Sequence, residues 1–240
     1  MNADWKGSGS SLAYGAAKAV NSIIGELAVR CRKGEEVAPR VMIGCYGYAG
    51  SSVDWAADDF KPEQDGLISI KTLAECDKQV LDEENEVFIP WVVYDKAHGG
   101  TPMQMALNEV RGIAEAFAQS NPNSFPPIII NITDGAPTDM DETDLPNVAQ
   151  SLTSLTTADG NALLWNLHIS PTSEAPQMLP DSEAGLPDNY SKCLFQASSI
   201  LPEFMANLGR TKHGLSIGED ARCFAYNADA VTMTKLLVLA

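Results

Sequence analysis

Apolar residues recur at three- and four-residue spacing from Leu12 through Ala16, Ala19, Val20, Ile23, Ile24, Leu27, Ala28 and Cys31. That spacing lays one wide apolar stripe along a helix, and Gly34 within "RKGEE" supplies its stop. "VMIGCYGY" (41–48) is a short apolar run bounded by Pro39 and Gly50, which predicts a buried strand. Residues 49–66 are acidic and loop-like. Two short β segments, at 67–70 and 87–94, flank the charged stretch "ECDKQVLDEENE" and read as a hairpin-like edge or insertion. Helical spacing returns at Met103, Ala106, Val110, Ile113, Ala114 and Phe117. Pro102 suits the first turn of that helix and Thr101 its N-cap.

"NPNSFPP" is a turn-rich connector, and "IIINIT" (128–133) is apolar on both faces, as a central parallel strand should be. A loop over 135–144 leads to a helix over 145–155 with Pro146 near its start. "ALLWNLHIS" (162–170) is a second buried strand, followed by a long proline-containing loop over 171–188. Residues 190–208 form a helix that Pro202 kinks or breaks. "ARCFAYN" is a last strand and "DAVTMTKLLVLA" a terminal helix. Helices and strands alternate, which predicts an α/β fold: a doubly wound, mostly parallel sheet with helices on both faces and a β insertion near 67–94. The chain reads as one domain over 1–240, with 1–10 a flexible N-terminal segment. A doubly wound fold usually begins with a strand, whereas this chain begins with a helix.

The formal net charge is −16. It argues against nucleic acid, whose phosphates need a basic face, and against anionic membrane surfaces. It leaves room for cations and basic proteins. The five cysteines are scattered, with no Cys-x-x-Cys pair, so neither a zinc knuckle nor a disulfide framework is indicated. Cys31, Cys45 and Cys223 sit in apolar runs and read as core residues, which fits a cytoplasmic setting. No apolar run reaches the ~20 residues of a membrane helix, and the polar N-terminus has no signal-peptide pattern.

Ligands of open α/β sheets bind outside the carboxyl ends of the strands. Asp134 follows "IIINIT" at that edge, and Thr101 opens its helix from the glycine turn "HGG". A hydroxyl and a carboxylate suit Mg²⁺, Mn²⁺ or Ca²⁺ better than zinc. Each also has a plain reading: Thr101 as a helix cap, Asp134 as a residue pinning its own turn. Asp139, Asp141, Glu142 and Asp144 read as a solvated acidic loop, His98 as a loop histidine, and His168 as hydrogen-bonded core. No Gly-x-Ser-x-Gly elbow, Walker loop or dinucleotide fingerprint is present. An enzyme is therefore not expected, and a metal-dependent hydrolase using Asp134 with Asp139 or Asp141 is the residual catalytic reading.

"GGTP" before a helix, and a buried strand ending "ITDG", resemble the von Willebrand factor A domain. The resemblance extends through "AAKAVNSIIGELAVRC", "VMIGCYGYAG", "PPIIINITDGAPTD", "DGNALLWNLHIS" and "LPDSEAGLPDNYSKCLFQASSILPEFM". These look like a bacterial cytoplasmic branch of the family and cover most of 11–240. The resemblance implies a metal-ion-dependent adhesion site, with Thr101 supplying the hydroxyl of its second loop and Asp134 the carboxylate of its third. Gly100, Gly135 and Asp139 would form the partner-binding rim. The implied role is a protein-interaction module of a cytoplasmic assembly or signalling system, in which the ion accepts a carboxylate from a protein partner. A metal-free interaction domain is the alternative.

The family's first loop, Asp-x-Ser-x-Ser at the end of the first strand, has no counterpart here, which implies a start just downstream of that segment. Asp4, Ser8 and Ser10 give a stretched Asp-x-x-x-Ser-x-Ser, readable either as a substitute or as a solvated Gly/Ser loop. Omitting a central strand would leave open edges. They would be closed by direct pairing of the neighbours or by a strand exchanged within an oligomer.

Overall fold

The computed structural model describes residues 1–4, 10–57, 59–75, 80–81, 87–88, 90–92, 98–172, 174–237 and 239. Its main sheet has four strands in the order Gln177–Met178, Phe224–Ala228, Leu163–Ile169, Ile128–Thr133. The last three run parallel, and the short Gln177–Met178 strand is antiparallel to its neighbour. Leu163–Ile169 is buried at every position, as expected of a parallel strand covered on both faces.

Helices cover both faces, because the crossovers between parallel strands must pass over them. Seven helices occur among the described residues: α1 (Leu12–Arg30), α2 (Ile70–Ala74), α3 (Met103–Ser120), α4 (Leu145–Thr153), α5 (Asn189–Ala197), α6 (Glu203–Lys212) and α7 (Ala230–Leu237). Trp165, Leu167 and Ile169 pack in one core with Leu12 and Ala16 of α1, Met205 of α6 and Met233 of α7. Ile129, Leu164 and Phe224 pack in another with Met103 and Leu107 of α3, Leu152 of α4 and Leu194 of α5. A third cluster joins Ile24 and Cys31 to Ile68, Ile70, Leu73 and Trp91. The fold is thus mixed α/β, with a mostly parallel four-stranded sheet and several small hairpins.

The three parallel strands of the main sheet and most helices lie where the hydrophobic pattern put them. The region before α3 does not. "VMIGCYGY" is not one buried strand. It divides into Met42–Ile43, paired with Ile68–Ser69, and Tyr46–Ala49, paired with Ser52–Trp55. Both pairs are antiparallel and two-stranded, and no residue from Val41 to Tyr48 is fully buried. Gly44 supplies one reason: a Cβ there would meet Leu67, Tyr46 and the Gly66 carbonyl at 3.1–3.3 Å, so the chain turns against the 66–67 segment instead of extending. The expected loop over 49–66 therefore holds a strand. The expected pairing of 67–70 with 87–94 is replaced by Ile68–Ser69 on Met42–Ile43 and by Val80–Leu81 on Val87–Phe88. Ile89, Val93 and Tyr94 of that expectation lie outside the described residues, as do residues 5–9 of the N-terminal segment.

Two other places differ. α1 stops at Arg30 with Cys31 as its cap; Gly34, at φ 69°, instead turns the Arg32–Lys33/Glu36–Val37 hairpin. Residues 190–208 are broken into two helices, as Pro202 led us to expect: α5 ends at Ala197 with Ser198 extended, and Pro202 is the N-cap of α6. Gln177–Met178, inside the expected 171–188 loop, is a sheet strand.

Neither two-stranded pair joins the main sheet. Tyr46–Ala49 does not pair with Ile128–Thr133; the Tyr48 hydroxyl reaches across instead, donating to Asn131 Oδ1 at 2.6 Å. Among the described residues, Ile128–Thr133 is therefore an edge strand. Of the two expected ways to close the gap, direct pairing of neighbours is not adopted. The Asn131 amide donates to Asn166 Oδ1 at 2.9 Å, and the Asn166 amide donates to Ser198 Oγ at 3.0 Å. This polar chain lets two asparagines sit on the buried face with their groups satisfied.

Candidate functional site

The carboxyl end of Ile128–Thr133 turns sharply, and Thr133 holds the turn. Its Oγ1 donates to the Gly135 carbonyl at 3.0 Å and accepts from the Gly135 N–H at 3.4 Å. Asp134 is thus not the residue that pins its own turn. Its carboxylate instead meets the α-ammonium of Met1. Residues 1–3 reach this point by folding back on the start of α1, where Ala13 N–H donates to the Met1 carbonyl and Leu12 N–H to the Ala3 carbonyl.

Thr101 arrives from the other side. Gly99 adopts φ 82°, and the Gly50 N–H donates to the Gly100 carbonyl at 2.9 Å. A Cβ on Gly100 would lie 2.7 Å from Thr138 Oγ1 and 3.0 Å from the Gly50 carbonyl, so the close approach of these loops requires glycine. Two reciprocal bonds then clamp the Thr101 loop to the loop after Asp134. The Thr101 N–H donates to Thr138 Oγ1 at 2.8 Å, and the Thr138 N–H to the Thr101 carbonyl at 2.9 Å. Thr101 Oγ1 lies 3.8 Å from where a Cβ on Gly135 would stand. The structure therefore brings the Thr101 hydroxyl beside the turn that carries Asp134.

Thr101 does not cap α3. The N-cap position is Pro102, which has no side-chain acceptor, and Asp139 supplies the cap from the neighbouring loop. Its Oδ1 accepts from the Gln104 N–H at 3.1 Å and its Oδ2 from the Met105 N–H at 2.9 Å. A carboxylate there also complements the positive end of the helix dipole. Asp139 is consequently a structural cap joining the two loops.

The acidic stretch is solvent-exposed at Asp139, Asp141 and Asp144, as expected, and carries local bonds besides. Asp141 Oδ1 accepts from the Thr143 hydroxyl at 2.6 Å and from its N–H at 2.9 Å, and these bonds hold the Asp141 carboxyl below its ordinary pKa. Glu142 Oε1 accepts from the Asn189 amide at 2.8 Å. Asp144 starts α4 without a side-chain cap bond.

The substitute first loop is only partly in view. Asp4 is exposed and forms an isolated bridge with Ser11, Ser10 precedes that bridge, and Ser8 lies outside the described residues. His98 is exposed near the Gly50 turn. Among the described residues, no three His, Cys, Asp or Glu side chains come together in a group that could hold a metal ion.

Sequence reasoning missed the aromatic residues beneath the Asp134 turn. Tyr190 of α5 donates from its hydroxyl to the Gly135 carbonyl at 2.6 Å. His168 is buried, as expected, and its ring lies edge-on to Tyr190 and stacked on Tyr226 at 4.7 Å. Burial raises the pKa of both Tyr48 and Tyr190 and lowers that of His168, against the opposing pull of Asp188 and Asp134. Tyr190 sits at apolar helical spacing, so its use at the Asp134 turn leaves no separate mark in the sequence.

No protein-family model matches the chain, and no curated protein or solved structure matches it either. No helix among the described residues is long and apolar enough to cross a membrane.

Proposed function

We propose that the chain is a protein-interaction module of the von Willebrand factor A type, with a partial metal-ion-dependent adhesion site at Thr101 and Asp134. The observation that carries this reading is the clamp between the Thr101 and Asp134 loops. It brings a hydroxyl beside the carboxylate-bearing turn at the carboxyl edge of a mostly parallel sheet, where such folds bind ligands.

The donor set fits a hard cation in part. Asp134 and Thr101 offer a carboxylate and a hydroxyl from neighbouring loops. When bound, Mg²⁺ or Mn²⁺ would supply a positive centre able to accept a carboxylate from a protein partner. Asp134 and Thr101 would hold the ion, while Thr133, Thr138 and Asp139 fix the loops around it. The setting proposed is a bacterial cytoplasmic assembly or signalling system.

A metal-free interaction domain is the second reading, favoured by the small donor set at this site, one carboxylate and one hydroxyl. The hydrolase reading has less support, because Asp139 and Asp141 are committed to backbone N–H groups.

Calorimetric titration with Mg²⁺ and Mn²⁺ separates these readings. The expected result is weak binding, in the millimolar range or slightly below, abolished by Asp134→Ala and reduced several-fold by Thr101→Ala. Binding that survives Asp134→Ala overturns the assignment, and no binding by the parent chain selects the metal-free reading.

A further inference from the structure

We propose that the open edge of Ile128–Thr133 is a strand-acceptor site for a protein partner. Its occupant is one extended segment, apolar at alternate positions, uncharged where it pairs and basic where it leaves the edge. The proposal is independent of the adhesion-site reading and needs no cation.

The backbone defines the occupant first. The Leu163 N–H donates to the Pro127 carbonyl, and Ile128 stands opposite Leu163 in the parallel ladder. Backbone direction alternates along a strand, so Ile129 and Asn131 turn their N–H and C=O groups towards Leu163–Ile169. Ile128, Ile130 and Ile132 turn theirs to the opposite side, where no strand pairs with them among the described residues. Water satisfies such groups one at a time; an extended backbone satisfies the whole row. The Tyr48 side chain does approach that side. Besides its 2.6 Å bond to Asn131 Oδ1, its hydroxyl reaches the Ile132 carbonyl at 3.4 Å. Tyr46–Ala49, which carries Tyr48, is itself paired on one side only, with Ser52–Trp55. An entering segment replaces the longer contact at Ile132 with a ladder bond and leaves Asn131 as the partner of Tyr48.

The side chains set its chemistry. Ile128, Ile130 and Ile132 share one face of the strand and are half-buried against the core that holds Leu12, Ala16 and Ala19 of α1. Leu163, Trp165 and Leu167, their partners in the ladder, are buried in that same core. The isoleucines differ from them by one missing neighbour, so the residues of the occupant on this face are apolar. At the amino end of the edge, Phe125 is 42% exposed and meets Phe204, 58% exposed, edge-on with centroids 5.9 Å apart. An aromatic pair left in water beside the start of an open strand is an anchor for a further aromatic or aliphatic side chain. Charge then selects the source. The six edge residues carry no charge, whereas the whole chain carries −16. A segment with basic flanks is complementary to that charge, and a second copy at neutral pH is repelled by it.

The test selects binders to the full chain from a displayed library of random peptides, without added metal, and then maps the best of them by amide hydrogen exchange. Selected peptides are expected to alternate apolar residues over the length of a strand, with Lys or Arg at the flanks. Their affinity should fall about tenfold in Ile130→Lys, since an edge lysine blocks strand addition. Ile130→Pro, which removes an outward N–H and spares the inward ladder, should act in the same way. In the free chain the Ile128, Ile130 and Ile132 amides should exchange faster than those of Ile129 and Asn131, and the bound peptide should slow the first three. A selection that yields no binder, binders without alternation, or a bound peptide that leaves those three amides fast overturns the proposal. Slow exchange of the three amides in the free chain overturns it as well. If the slowing is independent of concentration, the edge is already covered; if it grows with concentration beside a dimer in light scattering, a second copy is the occupant. Where both variants fail to fold, the exchange pattern decides alone.

Discussion

Two short apolar runs, Ile128–Thr133 and Val41–Tyr48, have different fates in this chain. Ile128–Thr133 makes an uninterrupted parallel ladder with Leu163–Ile169, and its Ile129 lies in the core with α3 and α4. Val41–Tyr48 breaks into two strands, each in its own two-stranded pair. Local composition contributes, since Gly44 and Gly47 weaken extended pairing. The larger cause is the neighbour. Ile128–Thr133 has a long buried strand to pair with, whereas Val41–Tyr48 meets only a two-residue strand and a hairpin. Apolar density marks a segment for burial; the partner decides whether it becomes a core strand.

This contrast can be broken most directly by truncating one residue in each region. Leu164→Ala, at a fully buried position beside Ile129, should cost about 3 kcal/mol. Ile43→Ala, half-buried, should cost about 1 kcal/mol. Denaturant unfolding of the two variants measures both, and equal costs would mean that the first half is packed as firmly as the sheet. An effect between these two is expected from the polar chain across the sheet. Asn166→Ala removes the oxygen acceptor of the Asn131 amide, leaving it the Met103 sulfur at 3.8 Å, and should cost about 2 kcal/mol. A double-mutant cycle with Asn131→Ala should show coupling above about 0.5 kcal/mol, and additivity would show that the chain of amides is not a unit. An effect as small as that of Ile43→Ala falls at the candidate site. Asp139→Ala should cost about 1 kcal/mol, with faster hydrogen exchange confined to the Gln104 and Met105 amides; unchanged exchange there would remove Asp139 as the cap of α3.

The three parallel strands of the main sheet and most helices were legible because continuous apolar runs and helical spacing are set by burial, which each segment carries in its own residues; Gln177–Met178, two residues in a proline-containing loop, carries no such run. Leu163–Ile169 and α1 follow that logic closely. The 41–92 region was not legible, because pairing between two-residue strands depends on distant contacts such as Gly44 against Leu67. At the site, Thr101 and Asp134 were readable from the glycine turn and the strand tip, and the structure does bring their loops together. The role of Asp139 was not readable, since it caps a helix that begins 36 residues earlier, with Met103 (139 − 103 = 36). Nor was that of Tyr190, whose helical position gave no hint that its hydroxyl closes on Gly135.

The edge formed by Ile128–Thr133 has a consequence for handling the protein. Its sequence, IIINIT, has no charge and no proline, and these are the devices that normally keep edge strands from joining one another. A net charge of −16 opposes such joining, and that repulsion vanishes as pH approaches the isoelectric point near 4.4. Mild acid should therefore be the condition under which this protein clouds or forms fibres, and moderate salt at neutral pH a gentler version of the same hazard.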